Sequence, residues 1–568
     1  MMLGRSGCLQ MGKRSKQKKV RKTTKVESQA ASRSHSQYLY WVILILVVLF
    51  TGFIRLRLLS IPLERDEGEF AYMGQLILQG IPPYLISYNM KLPGIYAAYA
   101  FFMFVFGQTV EGIHLGFLIV NAATTILVFL LVKRLCDSYT AVIAGASFAI
   151  LSVSPSVLGT SAHASHFVLL PALGGILLLL KATDSNKLKH VFWSGILLGL
   201  SVMMKQPGIF FVVFAFLYFF FNQLRLQKTP FRLFVKRASL FLSGAILPFV
   251  LTCVILYRAG VIEKFWFWTF SYASEYASQI PFSKGIELFF TQFANVMGHF
   301  YLLWGIAGAG IIAFFWDKTT RKHAAFILGF SVFSFLAVCP GLYFRPHYFV
   351  FFLGAVALII GIAISSFKRL IAKLRPSFQP LSTVLFLVAF FLGVVQYGVF
   401  FFKLTTDQAC SAMYGVNPFP QSAEIAEYIE SRTKKDDKIA VLGSEPQIYF
   451  YTKRQSATGY IYTYPLMEDQ RYAFRMQKEM IEEIEKAQPK YLVFVNVVTS
   501  WLARKTSVTY MFDWHKEYTR KNFDLVGVID ILSRTQTVYR WDHEAVNYSP
   551  QSPYFLAVYR RKASVVVH

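Results

Sequence analysis

The sequence predicts a polytopic α-helical membrane protein with a soluble α/β domain at its C-terminal end. Of its 568 residues, 55% are hydrophobic and only 16% are charged, whereas soluble globular proteins average about 25% charged residues. Between residues 39 and 402, apolar runs recur with the length of about 20 residues that a bilayer requires. After residue 402 these runs end and charged residues become frequent, which marks a change of domain.

The apolar runs divide the first part of the chain into membrane helices. The predicted spanning segments are 39–59, 112–132, 139–158, 164–181, 191–204, 207–222, 237–257, 298–316, 324–340, 346–366 and 381–402. One further apolar stretch, 93–107, is too short to cross comfortably at about 1.5 Å per residue. We expect it to be re-entrant or to lie in the membrane interface, because a full crossing would reverse the orientation of everything that follows it.

The distribution of basic residues predicts the orientation. Basic loops recur at every second connection, at 133–134, 181–189, 225–237, 318–322 and 368–375. Cytoplasmic loops are enriched in Lys and Arg, so these loops are predicted to be cytoplasmic. Residues 1–38 hold ten Lys or Arg and one acid and are interpreted as a basic, disordered cytoplasmic tail.

The same orientation places two long loops, 60–92 and 259–297, and the domain 403–568 on the outer face. Aromatic residues between 264 and 276 suit a helix at the membrane interface. This stretch is interpreted either as an anchoring belt or as a lid or groove for an acceptor.

Residues 403–568 alternate between helical and extended patterns, which predicts a small α/β domain. Helices are predicted over 422–430 and 471–487, and strands over 438–443, 491–495, 523–531 and 537–541.

Several classes of function are excluded. The net charge of +27 would suit nucleic acid, but the basic residues concentrate in the tail and in short loops, so no nucleic-acid partner is predicted. No GxGxxG or Walker A motif indicates a soluble nucleotide substrate. The five cysteines are scattered without a CxxC pair, which predicts neither a structural disulfide nor a cysteine metal site.

Residues 65–69 carry four charges in five positions just after the first span. Charge this dense at the edge of an apolar bundle indicates catalysis or ion handling. Lys91 is an isolated cation where the next apolar run begins. A hydroxyl that attacks a sugar needs a base, and a phosphate leaving group needs a cation, roles that Asp66 and Lys91 can fill. Alternatively, Asp66 is a solvated charge paired with Arg65.

The acid, spacer and Lys91-Leu92-Pro93 resemble bacterial members of the protein mannosyltransferase superfamily and the related aminoarabinose transferases, of the GT-C superfamily and glycosyltransferase family 39 type. The resemblance implies a GT-C fold with about 11–13 membrane helices. It also implies an inverting transfer of sugar from a polyprenyl-phosphate donor to an envelope glycolipid, glycan or protein, with lipid A as one candidate acceptor. By this resemblance Asp66 is the base and Lys91 binds the lipid phosphate.

Further candidate substrate contacts lie in turns predicted to face the same side. Lys205, in a Lys-Gln-Pro-Gly turn that also resembles these enzymes, is either part of a simple turn or a substrate-facing cation. Arg345 suits a planar, bidentate phosphate contact, and His347 can donate a proton or titrate. Arg345, His347 and Tyr348 match a similar family signature; packing or interface anchoring is the alternative. The two remaining acids of the charged run, Glu67 and Glu69, are included as substrate-binding candidates.

No cofactor is assigned. The residues leave open whether a divalent cation binds. His163 and His166 are spaced to share a helix face, but spacing identifies no third ligand, so sugar or lipid contact is favoured for them. Some aminoarabinose-transferring relatives carry an acid implicated in metal binding just before the Lys, where this chain has Met90. A Gly-Ser-Glu-Pro turn at 443–446 also resembles the family; its role is open, and Glu445 could simply cap a helix.

The predicted partners are therefore a polyprenyl-phosphate-linked sugar, a lipid or glycan acceptor and the lipid bilayer of a bacterial inner membrane. The competing interpretation is a transporter or flippase of lipid-linked saccharides. Transporters often show inverted repeats and charges near the midplane; here no convincing repeat is visible and the candidate charges cluster at one face. A ligase that uses a diphosphate-linked donor finds no support in residues 65–94.

Overall fold

The structure is a computed structural model that describes residues 37–185, 187–226 and 229–563. Most of the predicted basic tail, residues 1–36, and Lys228 in the third basic loop lie outside the described residues.

The first part of the chain is a helical bundle. Its α-helices are α1 (Gln37–Arg57), α2 (Arg65–Leu78), α3 (Gly94–Phe106), α4 (Val110–Leu135), α5 (Ser138–Val153), α6 (Ala164–Ser185), α7 (Leu188–Met204), α8 (Ile209–Phe221), α9 (Phe231–Arg258), α10 (Ile262–Trp266), α11 (Ala273–Ala277), α12 (Phe282–Met297), α13 (Tyr301–Trp316), α14 (Lys318–Lys322), α15 (Ala324–Leu336), α16 (Val350–Leu374), α17 (Pro380–Gln396) and α18 (Gly398–Phe402). Two π-helical segments, Asn222–Leu226 and Phe267–Tyr272, interrupt or extend them.

Eight helical segments of the described chain are long and apolar enough to cross a membrane, and the protein is a multi-pass membrane protein. Shorter apolar helices occupy the predicted spans 139–158, 191–204 and 324–340. Helix α3, in the stretch 93–107, has 13 residues, or about 20 Å, against a hydrocarbon core of about 30 Å. Its predicted re-entrant or interfacial position therefore remains consistent with its length.

The helical stretch from Phe282 to Trp316 contains a sharp change of direction. Gly298 has φ +46°, in the left-handed region that favours glycine, and it separates α12 from α13. Helix α12 exposes large apolar side chains, including Phe282 and Phe290, as an interfacial helix would. The sequence predicted the span at 298–316 but did not separate α12 from the long loop 259–297.

Helix α16 forms the centre of the bundle and is largely buried. It packs against α5, α13 and α15. Close approach to α5 depends on Gly361, where a Cβ atom would lie 2.6 Å from the Thr140 carbonyl oxygen. Small residues allow such close helix packing in membranes, and this centre fixes the loop before α16, which contributes to the site.

The C-terminal domain is α/β, as predicted. Its elements are α19 (Thr406–Tyr414), α20 (Phe419–Glu430), β1 (Ile439–Leu442), α21 (Gln447–Thr452), α22 (Tyr464–Met467), α23 (Ala473–Ala487), β2 (Tyr491–Asn496), α24 (Val498–Trp501), α25 (Tyr510–Asn522), β3 (Phe523–Ile531), β4 (Thr537–Trp541), α26 (His543–Val546) and β5 (Phe555–Arg561). The sheet order is β1-β2-β5-β3-β4. Strands β1 and β2 are parallel, whereas β5 pairs antiparallel with both β2 and β3.

Two hydrophobic cores organise the molecule, and the second one crosses the predicted domain boundary. The first lies within the bundle around α5 and α16. The second joins Phe70 of α2 and Tyr96 of α3 to Ile448 and Leu492 of the C-terminal domain. Because burial of apolar surface is the main stabilising term, the C-terminal domain is held firmly against α2 and α3.

Candidate active site

Asp66 is the second residue of α2, at a helix start that local hydrogen bonds define. The Glu64 carboxylate accepts from the Glu67 backbone N–H at 3.0 Å, and the Glu67 carboxylate accepts from the Glu64 N–H at 3.3 Å. This reciprocal arrangement is a capping box. It stabilises the first turn of α2, which carries Asp66.

Lys91 lies against the carboxylates of α2. Its Nζ is 3.1 Å from Asp66 Oδ1 and 2.9 Å from Glu69 Oε2. Burial lowers the pKa of Lys91, but these carboxylates outweigh burial and raise that pKa above its usual value. Burial likewise raises the pKa of Asp66, yet the charge of Lys91, aided by nearby cations, holds it below its usual value. Asp66 is therefore ionised and Lys91 protonated at neutral pH.

The two oxygens of Asp66 have different surroundings. Oδ1 accepts from Lys91 and, at 3.3 Å, from the Tyr462 hydroxyl. Oδ2 has no hydrogen-bond donor in the described part of the chain, and His163 Nδ1 lies 4.0 Å from it. Oδ2 is thus the oxygen that is available to a ligand.

Asp66 borders a cavity of about 190 Å³. Its charged lining residues come from separate segments: Asp66, Lys91, Lys205, Arg345 and Glu468. Within residues 37–185, 187–226 and 229–563, no carboxylate forms an ion pair with Lys205 or Arg345. The Lys205 Nζ instead sits 4.1 Å from the ring centre of Tyr348. These two cations are free to neutralise an anionic ligand.

Burial lowers the pKa of Lys205 to about 7, and the neighbouring cations Lys91 and Arg345 act in the same direction. The carboxylates of Asp66 and Glu64 oppose this effect. An anion in the cavity would restore the charged form of Lys205, because an opposite charge at close range favours ionisation.

Six of the sequence-predicted site residues line this cavity. They are Asp66, Lys91, Lys205, Arg345, His347 and Tyr348. His163 lines a neighbouring cavity, of about 190 Å³, that also borders Asp66, Arg345 and His347. The helix ends and turns that carry these residues thus converge, although the residues are far apart along the chain.

Three predicted substrate contacts do not line either cavity. Glu67 is fully buried, where its carboxylate accepts from the Ala162 N–H and contacts His114 Nε2 at 3.0 Å. Glu69 is fully buried between Lys91 and the Tyr96 hydroxyl, 2.9 Å away. His166 packs its ring edge against Phe117. The carboxylates of Glu67 and Glu69 thus hold neighbouring elements in place, because they accept hydrogen bonds from protein groups.

Arg65 does not pair with Asp66, which removes the alternative interpretation of that aspartate. Its Nη2 lies 2.8 Å from Glu445 Oε1 of the C-terminal domain. Sequence reasoning also missed the residues that this domain adds to the cavity: Tyr462, Tyr464, Pro465 and Glu468. The alternating tyrosines at 460, 462 and 464, unusual in a charged domain, were the available signal.

The structure offers a candidate metal group other than the pair of His163 and His166, for which the sequence favoured sugar or lipid contact. Ligand atoms of Asp66, His163 and His347 lie within 4.8 Å of one another, whereas His166 is not part of this group. The two rings stack at 4.1 Å, and their buried Nδ1 atoms have no hydrogen-bond partner. Burial lowers the pKa of His163 to about 4, so its imidazole is neutral, as metal binding requires. Asp66, His163 and His347 could each offer one ligand atom to a divalent cation.

Comparison with known proteins supports this architecture. The sequence profile of the dolichyl-phosphate-mannose-protein mannosyltransferase family matches residues 91–259, a stretch that includes Lys91 and Lys205. No curated protein sequence gives a significant match.

Two kinds of solved structure share the fold over most of the chain. ArnT from Cupriavidus metallidurans in the apo state is 13% identical, with a TM-score of 0.54, and the match covers 91% of this chain and 100% of that chain. A structure of the same ArnT bound to undecaprenyl phosphate is 12% identical, with a TM-score of 0.53 over 92% of this chain and 98% of that chain.

The archaeal oligosaccharyltransferase AglB from Archaeoglobus fulgidus, in complex with an inhibitory peptide and a dolichol-phosphate, is 14% identical with a TM-score of 0.53. That match covers 89% of this chain and 75% of AglB. The fold is that of the GT-C membrane glycosyltransferases. The predicted fold class and the predicted resemblance are therefore confirmed.

Proposed function

We propose that this protein is an inverting glycosyltransferase that moves a sugar from a polyprenyl-phosphate donor to a hydroxyl of an envelope glycolipid, glycan or protein. The observation that carries the proposal is one cavity bordered by an ionised carboxylate, Asp66, and by the cations Lys91, Lys205 and Arg345. A base and a set of cations around one small space are what this reaction requires.

The donor phosphate would bind at Lys205 and Arg345. Neither side chain has an ion-pair partner among the described residues, whereas Lys91 is already shared between Asp66 and Glu69. Arginine binds phosphate oxygens in a bidentate fork, and His347 and Tyr348 lie beside it along the cavity. The undecaprenyl phosphate of the ArnT structure and the dolichol-phosphate of the AglB structure support a lipid phosphate as ligand of this fold.

The transfer would use the free oxygen of Asp66. The acceptor hydroxyl oxygen attacks the anomeric carbon of the sugar as the bond from that carbon to the phosphate oxygen breaks. The hydroxyl proton passes to Asp66 Oδ2, which has no other hydrogen-bond donor among the described residues, and the polyprenyl phosphate leaves with the bonding electrons. Attack from the face opposite the leaving group inverts the anomeric centre. Lys91 and Tyr462 hold Oδ1 meanwhile, which keeps the carboxylate oriented.

A divalent cation, if bound, would be held by Asp66, His163 and His347. It would supply positive charge next to the reacting groups.

The site would face the outside of a bacterial inner membrane. Two helices have a site residue at one end and a basic residue near the other: Lys205 follows α7, which has Lys189 near its start, and His347 precedes α16, which has Lys368 near its end. Since basic ends stay in the cytoplasm, the cavity and the C-terminal domain would be extracytoplasmic and the N-terminus cytoplasmic. A lipid-linked donor reaches such a site with its tail still in the bilayer.

Two assays test the proposal, one in cells and one with the purified protein. Envelope glycolipids and glycoproteins of a deletion strain are compared with those of its parent by mass spectrometry, with the wild-type gene and an Asp66→Asn variant added back. The purified protein in lipid nanodiscs is given a panel of undecaprenyl-phosphate-linked hexoses and pentoses together with an envelope extract of the deletion strain as the source of acceptor, and release of undecaprenyl phosphate is measured.

We expect one sugar modification to disappear in the deletion strain and to return with the wild-type gene only. Unchanged glycans in the deletion strain and no release from any donor in the panel would reject the proposal. Movement of a lipid-linked sugar across vesicles without cleavage would establish the transporter interpretation instead.

A further inference from the structure

The Gly-Ser-Glu-Pro turn at 443–446 is a sequence motif to which the proposed reaction gives no role. It follows β1 and precedes α21, and it contacts the first turn of α2 through Arg65. We propose that Glu445 is a positioning residue for Asp66 that acts through Arg65, so that the C-terminal domain sets the orientation of the base. This inference rests on the proposed function, which gives Asp66 that role.

The contact between the turn and Arg65 is specific in its geometry. The Arg65 guanidinium donates from Nε to the Ser444 carbonyl at 2.6 Å and from Nη2 to Glu445 Oε1 at 2.8 Å. Nη2 also donates to Asn417 Oδ1 at 3.1 Å. The side chain of Arg65 is 8% exposed and that of Glu445 is fully buried. A planar guanidinium held by several acceptors has one orientation, so the backbone of Arg65, next to Asp66, is fixed as well.

The turn itself is rigid, which a positioning device requires. Glu445 Oε2 accepts from the Ser500 hydroxyl, whose oxygen accepts from the Ser444 N–H at 2.8 Å. Gly443 leaves the space in which this carboxylate sits, because a Cβ atom there would lie 2.6 Å from Glu445 Oε2. The glycine, serine and glutamate of the motif thus act together to present one carboxylate to Arg65.

Simple anchoring of the C-terminal domain is the competing explanation for this ion pair. That domain is also held by other contacts: the Tyr88 N–H donates to the Gly459 carbonyl at 2.7 Å, and the Tyr72 hydroxyl accepts from the Ser456 N–H at 2.8 Å. Helix α2 touches α21 so closely that a Cβ atom at Gly68 would lie 2.6 Å from the Gln447 nitrogen. Loss of Glu445 would therefore leave the domain docked and loosen the turn that carries Asp66.

The test compares Glu445→Gln with Asp437→Asn in the full-length protein. Asp437 pairs with Lys490 at 2.9 Å inside the same domain and lines neither cavity, so it is a matched control. Hydrogen exchange of backbone amides 64–70 is followed by mass spectrometry. The turnover number and the apparent KM are measured with the panel donor that the wild-type protein uses.

We expect faster exchange at 64–70 in Glu445→Gln but not in Asp437→Asn. Turnover should fall by about 10- to 100-fold, since small displacements of a catalytic group are costly. The donor KM should stay within about twofold, because Lys205 and Arg345 remain in place. An Arg65→Met/Glu445→Met double variant removes both buried charges, so its unfolding temperature should approach that of the wild type while turnover stays low.

Three outcomes would overturn the inference: unchanged exchange at 64–70, full turnover in a folded Glu445→Gln protein, or turnover that recovers together with the unfolding temperature in the double variant. If the wild-type protein uses no lipid-linked donor, the proposed function fails. The exchange measurement still decides whether Glu445 holds the turn that carries Asp66.

Discussion

Lys91 Nζ lies 3.1 Å from Asp66 Oδ1, and the two residues are 25 positions apart in the chain. The pair joins the start of α2 to the loop that precedes α3. Lys91 keeps Asp66 ionised and holds one of its oxygens, and the phosphate contact predicted for Lys91 from the sequence stays a prediction. The other oxygen is left for a ligand.

Asp66→Asn should remove transfer and leave the protein folded. The amide keeps the shape of the side chain but cannot accept the proton, and loss of a general base costs on the order of 10² to 10⁴ in rate. Turnover of the purified variant measures this, with Asp469→Asn as an exposed control that lines neither cavity. Near-parental turnover in Asp66→Asn would remove Asp66 from the mechanism.

Glu67→Gln should act mainly on stability. The Glu67 carboxylate is fully buried and joins α2 to Ala162 and His114. Weakening these charged hydrogen bonds costs about 1–3 kcal/mol, so the unfolding temperature should fall while turnover per folded molecule drops less than in Asp66→Asn. A Glu67→Gln protein with wild-type stability but no turnover would instead make Glu67 the base.

Arg345→Ala should raise the apparent KM for the donor strongly, and Arg345→Lys should restore it only in part. A lysine keeps the charge but cannot reproduce the bidentate fork of the guanidinium. Donor titration of both variants, beside the exposed control Arg534→Ala, measures the difference. Unchanged KM and turnover in Arg345→Ala would exclude a phosphate contact there.

Donor binding should weaken as the pH rises through about 7 and above. Burial and the cations Lys91 and Arg345 lower the pKa of Lys205 to about 7, against Asp66 and Glu64. Lys205 is therefore charged below this pH and loses its charge above it; a bound phosphate moves the loss to higher pH. The affinity for the undecaprenyl-phosphate-linked sugar, a phosphodiester whose own charge does not change between pH 6 and 9, should fall over this range in the wild type.

The matched variant is Lys205→Arg, whose guanidinium stays protonated across this range. Its affinity should change less with pH than that of the wild type. Identical pH profiles for the two proteins would mean that Lys205 does not supply charge to the phosphate.

The topology predicts that the C-terminal domain and the loop 259–297 lie on the outer side. In a background without native cysteines, Lys435→Cys, which is exposed in the C-terminal domain, should react with an impermeant thiol reagent in intact spheroplasts. Lys373→Cys, near the basic end of α16, should react only after lysis. The reverse pattern would place the cavity in the cytoplasm and would reject the proposed orientation.

The sequence by itself determined the features that local composition controls. Membrane helices are visible because about 20 apolar residues must follow one another to span a bilayer. The predicted strands at 491–495, 523–531 and 537–541 correspond to β2, β3 and β4. Strand β5 was missed: it is last in sequence and ends in two arginines, yet it lies between β2 and β3. Asp66 and Lys91 were identified because isolated charges stand out in an apolar chain.

The tertiary structure alone decided how the site is assembled. Arg345 and Lys205 reach the cavity of Asp66 from separate helix ends, His347 rather than His166 stacks on His163, and Tyr462 comes from the C-terminal domain. The side chains of Glu67 and Glu69 are fully buried, although these residues have the same sequence neighbourhood as Asp66. These outcomes depend on contacts between residues distant in the chain, which are fixed by how helix faces pack and which carboxylates find buried partners. No local pattern of residues contains that information.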